Sequence, residues 1–335
     1  MDTSLLKDLC EAACIGHIAD ASDIAEKELA KHCPTERFGQ TGVIGIMNGG
    51  KEKTIMLEAH LDQVGFTVTT VFSDGFLKVA PVGGNDGRIL PATPIRIHSD
   101  KGEFPAVFAS TPPHLSDGKN DAKSCDELLL DSMLGEDAVS IISAGDMATY
   151  QSDFVPLASK KVCAAALDNR AGVFCLLEVA KRLAGKKLDV NVVFCLAEQE
   201  ELGLRGSRCA AYKYFCDEAV VVDVSFGDAP DISPDKAKKL GVGALVGLSP
   251  ILSKKVSNKL IDCAKKNEFS FDYEVMGGAT GTDADVISVT ASGIPTGLLS
   301  IPLRNMHTPC EVADLNDIES VCNILEAFIL AGGAV

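Results

Sequence analysis

Residues 54–66 read TIMLEAHLDQVGF. The first six residues form an apolar run of strand length, and it runs straight into His60 and Asp62. Beyond Gly65 the texture changes. Short alternating segments, FTVTTV, FLKVAPV, PIRIHS and FPAVFA, are separated by Gly, Pro and Asp, the pattern of a small all-β unit. After Lys160 the texture changes back. Apolar strands DVNVVFCLA, EAVVVDV and PTGLLSIP are interleaved with helices expected near 205–214, 251–267 and 283–292. That alternation predicts an α/β sheet covered by helices on both faces. Two amphipathic helices are expected at about 2–15 and 20–33. A last helix starts at about Leu315, with Asp314 as its N-cap and Ile318, Val321, Leu325, Phe328 and Ile329 on one face. The polar stretch 112–137 reads as a long surface loop. The expected architecture is a three-layer α/β/α domain built from 1–70 and 160–335, interrupted by a β-rich insert at 71–159.

The 335 residues are 46% hydrophobic, enough for a substantial core, and carry a formal charge of −16. A surface that acidic repels phosphate backbones and anionic lipid, so neither nucleic acid nor membrane is an expected partner. Of the twelve cysteines, Cys175 and Cys195 sit inside apolar runs, and no Cys-x-x-Cys pair occurs. Such cysteines behave as small buried hydrophobes, and a reducing, cytoplasmic location is expected. The start, MDTSLLKDLCEAACIG, has no basic region and no continuous apolar stretch, so it reads as a helix and not as a signal peptide.

Five segments place a metal-capable residue at or near the end of an apolar run or the start of a helix. They supply His60, Asp168, Glu201, Asp223 and His307. In open α/β sheets, ligands bind beyond the carboxyl ends of the strands, so residues spread over the chain can converge there. Singly, each has an ordinary reading. Asp168 reads as an N-cap, and Glu200-Glu201 as a solvated helix start. Asp223 is harder to dismiss, because a carboxylate ending the run AVVV is costly to bury without a partner. Two histidines and three carboxylates suffice for two divalent ions if one carboxylate bridges. Imidazole with carboxylate points to Zn or Co, or to Mn, and away from Ca. Asp62, two residues after His60, is placed to orient the imidazole.

The motifs AHLDQVGF (59–66), ALDNRAG (166–172), EQEELGLRGS (198–207), VVDVS (221–225), GTDAD (281–285) and SIPLRNMHTP (300–309) resemble those of the TET-type (tetrahedral) and glutamyl aminopeptidases. The resemblance spans nearly the whole chain in order. It implies a dinuclear metallopeptidase in which His60, Asp168 and Asp223 hold one ion. Asp168, Glu201 and His307 would hold the other, with Asp168 bridging. It further implies that Glu200 is the catalytic base and that the insert is a β-barrel-like dimerisation domain, with dimers gathering into a larger homo-oligomer, possibly a dodecamer. Gln63 and Asn169 depart from the family's pattern, which often has Glu and Asp there. His114 resembles a histidine placed near a neighbouring subunit's site, and is equally a surface-loop histidine. Thr282 and Asp283 resemble a substrate-side loop, although Asp283 is by default an N-cap.

The activity so implied is hydrolysis of N-terminal residues from short peptides with a free amine. A water bridging two cations would attack the first carbonyl while Glu200 takes its proton. A rival reading, glycoside hydrolysis, needs only a pair of carboxylates and leaves His60 and His307 idle. With 5% aromatic residues and no Trp, the chain also has little for sugar stacking. A third reading, a scaffold without activity, is opposed by the complete ligand set.

Overall fold

The computed structural model describes residues 2–38, 42–115, 123–230 and 232–334. Four parallel strands form the middle of the main sheet: Thr296–Arg304, Glu218–Phe226, Thr54–His60 and Asn191–Ala197, in that order. Antiparallel strands extend it on both sides. Gly42–Met47 and Thr35–Arg37 continue beyond Asn191–Ala197, and Glu311–Asp314, Lys161–Ala164 and Val155–Leu157 continue beyond Thr296–Arg304. Ala244–Leu248 also pairs with Thr296–Arg304 and carries Phe271–Val275 on its outer side.

Both faces of the parallel strands are buried, which explains their unbroken apolar runs. Leu57, Val220, Val222 and Phe194 pack into one core, with helices Leu167–Leu183 and Leu315–Leu330. Met56, Val221, Val193 and Cys195 pack into the other, with helices Arg205–Lys213 and Ala284–Ile287. The result is three layers. Asp314 caps the last helix as expected, its side chain accepting from the Asn316 amide at 2.9 Å.

The other sheet is a closed six-stranded barrel, ordered Leu130–Asp131, Phe76–Val82, Gly65–Val71, Met147–Tyr150, Pro94–Ser99 and Gly102–Phe108. Alternate residues point inward, among them Phe66, Val68, Leu77, Val79, Ile95 and Ile97. Phe66 stacks edge-on against Phe108 at 5.1 Å and Tyr150 at 5.6 Å.

Several boundaries differ from the sequence expectation. The barrel strands run from Gly65 to Tyr150, against the expected insert at 71–159, and Val155–Leu157 is hydrogen-bonded into the main sheet. The first two helices are shorter, Ser4–Glu11 and Asp20–Leu29, because Cys14–Ile15 and Ile18–Ala19 pair as a small hairpin between them. The helix expected at 283–292 is the single turn Ala284–Ile287. The loop expected at 112–137 contains short helical turns at Pro113–Leu115 and Cys125–Glu127 and the strand Leu130–Asp131, while 116–122 lie outside the described residues. No helix among the described residues is long and apolar enough to cross a membrane. All twelve cysteines are free.

Candidate metal centre

Because the four central strands are parallel, their carboxyl ends share one edge of the sheet. His60 ends its strand, and Asp223 lies near the end of the adjoining one. Glu200 and Glu201 follow Ala197, and His307 follows Arg304. Asp168 arrives from the start of helix Leu167–Leu183. The structure brings all five expected ligands together. Donor atoms of His60, Asp168 and Asp223 lie within 4.8 Å of one another, as do those of Asp168, Glu201 and His307, and those of His60, Glu200 and Glu201.

Asp168 joins the two histidines. Its Oδ1 lies 3.2 Å from His60 Nε2 and its Oδ2 lies 3.2 Å from His307 Nε2. His307 Nε2 is also 3.1 Å from Glu201 Oε1, and His60 Nε2 is 3.8 Å from Asp223 Oδ1. Ligands at roughly 2.0–2.2 Å from a common ion stand about 3–3.5 Å from each other, so most of these separations suit shared cations. The donor set suits them too. Among the described residues, the ion partners of Asp168, Asp223, Glu200 and Glu201 are the two imidazoles alone.

The electrostatics express the same excess of negative charge. Burial disfavours a charged His60, yet Glu200, Asp168, Asp62 and Asp223 outweigh it and lift the ring well above its ordinary pKa. Burial likewise opposes charge on His307, and Asp168 and Glu201 push it up to about 11. Glu200 is raised to about 8, by burial first and then by Asp283, Glu201 and Asp62, with His60 opposing. Burial also holds Asp223 well above the carboxylate range. Asp168 moves the other way: burial is outweighed by His307 and His60, and its pKa falls.

Three local readings need correction. Asp168 is not a helix cap; its backbone is non-helical, and Asn169 does the capping, its Oδ1 accepting from the Gly172 amide at 3.0 Å. Asn169 Nδ2 also donates to the Val222 carbonyl at 2.8 Å, tying the helix start to the Asp223 strand. Glu200 and Glu201 do not open a helix either, since the helix begins at Arg205. They sit in a turn whose amides donate to Asp62, Glu200 N to Oδ1 at 2.9 Å and Glu201 N to Oδ2 at 3.1 Å. Asp283 caps nothing with its side chain; it is buried, accepts from Ser207 Oγ and adjoins Glu58.

Asp62 therefore acts on two sides. Its backbone carbonyl is 3.2 Å from His60 Nδ1 and its carboxylate is 3.6 Å from the same nitrogen, while both carboxylate oxygens anchor the Glu200–Glu201 turn. Gln63 accepts from Arg170 Nη2 at 3.1 Å and from the Cys14 amide at 3.3 Å. His114 is exposed on a short helical turn and joins none of the three donor sets.

Two features escape sequence reasoning. The turn after barrel strand Phe76–Val82 packs against the ligands. A Cβ on Gly83 would lie 3.0 Å from Glu201 Oε2, and one on Gly84 would lie 3.0 Å from His307 Nδ1. Next to it, Asn85 donates to the Gly65 and Val82 carbonyls at 3.0 Å each and accepts from the Tyr150 hydroxyl at 2.9 Å, pinning the turn to three adjacent barrel strands. The doublet Gly83-Gly84 was the available signal, but glycines in a β-rich segment mark turns without naming what approaches them. The second feature is Glu311, whose carboxylate lies buried behind Asp168 and His307.

Comparison with known proteins agrees with this geometry. Residues 41–324 match the M42 glutamyl aminopeptidase family. The lysyl aminopeptidase of Pyrococcus furiosus is 29% identical over 90% of this chain and 88% of its own. The structure of a TET aminopeptidase from a marine sediment archaeon, Thaumarchaeota archaeon SCGC AB-539-E09, superposes with a TM-score of 0.93 at 26% identity, covering 99% of this chain and 96% of that one. The Pyrococcus horikoshii TET1 peptidase, which can assemble into a tetrahedron or a large octahedral shell, gives 0.86 at 28% identity, covering 97% and 98%. With the family matched over most of its length and the donor residues gathered at one sheet edge, this chain belongs to the M42 glutamyl aminopeptidase family.

Proposed function

We propose that this chain is a two-cation aminopeptidase that removes N-terminal residues from short peptides with a free amine. The observation that carries the reading is Asp168, whose two oxygens each face a different imidazole at 3.2 Å. His60, Asp168 and Asp223 would hold one ion, and Asp168, Glu201 and His307 the other. Imidazole and carboxylate donors favour Zn or Co, with Mn also suited. Bound cations would acidify a shared water and polarise the scissile carbonyl.

The chain's own residues supply the proton transfer and the positioning. Glu200 belongs to neither proposed ligand set, yet its Oε2 lies 3.9 Å from His60 Nε2, at the edge of the cluster. There it takes the water's proton and passes it to the leaving amine. Asp62 holds the amides of both Glu200 and Glu201, so one carboxylate sets the spacing between base and ligand. The barrel is proposed as a dimerisation domain, since Leu115, Met133 and Val139 stand exposed on the segments that connect its strands. Dimers would then build a larger homo-oligomer; the similar TET1 peptidase can assemble into a tetrahedron or a large octahedral shell.

Two substrates offered side by side test the reading. With added Zn, Co or Mn, an unblocked peptide should release free amino acids, while its acetylated twin stays intact. Efficient internal cleavage of the blocked peptide would overturn the exopeptidase assignment. Sugar release from a cellulose oligomer without peptide cleavage would favour the glycosidase alternative instead.

A further inference from the structure

Glu311 lies 2% exposed, at the start of strand Glu311–Asp314. Burying a carboxylate is costly unless its oxygens are bonded. Its partners are both main-chain amides of proposed ligands. Oε2 accepts from the Asp168 amide at 3.0 Å, and Oε1 accepts from the His307 amide at 2.7 Å.

The topology explains how one side chain reaches both. Strand Glu311–Asp314 lies between Lys161–Ala164 and Thr296–Arg304 and runs antiparallel to each. Its first residue therefore stands beside the exits of both neighbours. One exit leads to Asp168 and the other to His307. Neither amide has a regular partner available. Asp168 is non-helical inside its helix start, and His307 has a φ of +62°, in the left-handed region. Leaving the buried Asp168 N–H or the part-buried His307 N–H without an acceptor is costly, so each ligand's backbone uses the acceptor Glu311 provides.

We infer that Glu311 is a positioning residue, a two-pronged backbone clamp that sets the distance between Asp168 and His307 and thereby the affinity of the cation they would share. The inference rests on the two-cation reading above. Glu311 touches neither cation nor substrate; it acts through the two ligands. A carboxylate is required for this. Glutamine offers one acceptor oxygen and an amino group, and the amino group would face an N–H donor. Replacing Glu311 by Gln thus frees one of the two ligands while keeping the side chain's size.

Calorimetric metal titration of the unsubstituted chain and of Glu311→Gln, with Zn as the probe, separates the possibilities. The unsubstituted protein should take up two ions; fewer would refute the two-cation reading and the clamp with it. Given two ions, Glu311→Gln should weaken the one that Asp168 and His307 would share by about 10–100-fold, the range for residues that orient ligands, and weaken the other, which keeps His60 and Asp223, by less. Excess metal should then restore kcat with KM unchanged. A merely structural role lowers the melting temperature without splitting the two affinities. Two unchanged affinities in folded Glu311→Gln protein would overturn the clamp. Should that variant not fold, hydrogen exchange of the unsubstituted, chelator-treated protein decides. The Asp168 and His307 amides should exchange slowly in the absence of metal, and fast exchange of both would overturn the inference.

Discussion

The main sheet and the barrel are both β-structures, and they contribute to the site by different means. In the main sheet, four parallel strands point their carboxyl ends at one edge, so chemistry-bearing side chains accumulate there by topology. In the barrel, antiparallel strands spend their inward residues on a private core, and its contribution to the site is a turn with no side chain. Gly83 and Gly84 let the backbone reach Glu201 and His307. The sheet supplies the functional groups, and the barrel closes one side of them. If this division is right, changes in the sheet should abolish chemistry, while changes in the barrel turn should tune one half of the site.

The largest effect is expected at the shared ligand. Asp168→Ala should lose both ions and reduce peptide hydrolysis to background, whereas His307→Ala should weaken chiefly one ion. Metal analysis that finds two tightly held ions in the Asp168 variant would break the assignment of a bridge.

Next comes the base. Glu200→Gln keeps size and polarity but removes the proton acceptor, so turnover should slow by about 10²–10⁴-fold with both ions retained. Its neighbour sharpens the contrast, because Glu201→Gln should lose affinity for one ion and recover partly in excess metal. Near-full activity in the Glu200 variant would remove the proposed mechanism.

The barrel's share is smaller. Gly84→Ala places a methyl group 3.0 Å from His307 Nδ1. Overpacking of about 1–3 kcal/mol should weaken the ion held by His307 and spare the one held by His60 and Asp223. Equal weakening of both, or of neither, would show that the turn does not act as a wall of that half.

The smallest effect concerns stability after chelation. In the stripped protein, Glu200, raised to about 8, and His307, raised to about 11, hold protons that the unfolded chain has already released. Between about pH 5 and 8 the folded form binds more protons, so its stability falls as pH rises. The contribution is complete below the unfolded pKa of each group and is lost toward the folded value. Added metal displaces those protons, so its stabilisation should grow over the same interval, by a few degrees of melting temperature. A melting temperature of stripped protein that rises across that interval would contradict the electrostatic description of the cluster.

The class of the fold was legible in the sequence, which also named the candidate donor residues that the structure gathers at one sheet edge. Buried parallel strands must be apolar on both faces, so a charged residue ending such a run is conspicuous, and His60 and Asp223 could be read directly. Period-two alternation marked the barrel strands for the same reason of burial, on one face instead of two. Tertiary structure decided which backbone groups meet. Asn169 and not Asp168 caps the helix, Asp62 holds the Glu200–Glu201 turn, Gly83 and Gly84 lie against two ligands, and Glu311 reaches both exits beside it. Apart from the Asn169–Gly172 and Glu311–His307 bonds, these are contacts between segments far apart in the chain. Local pattern reports what a residue prefers near its own neighbours, whereas an amide's acceptor or a glycine's visitor is chosen by the packing of the whole sheet and barrel.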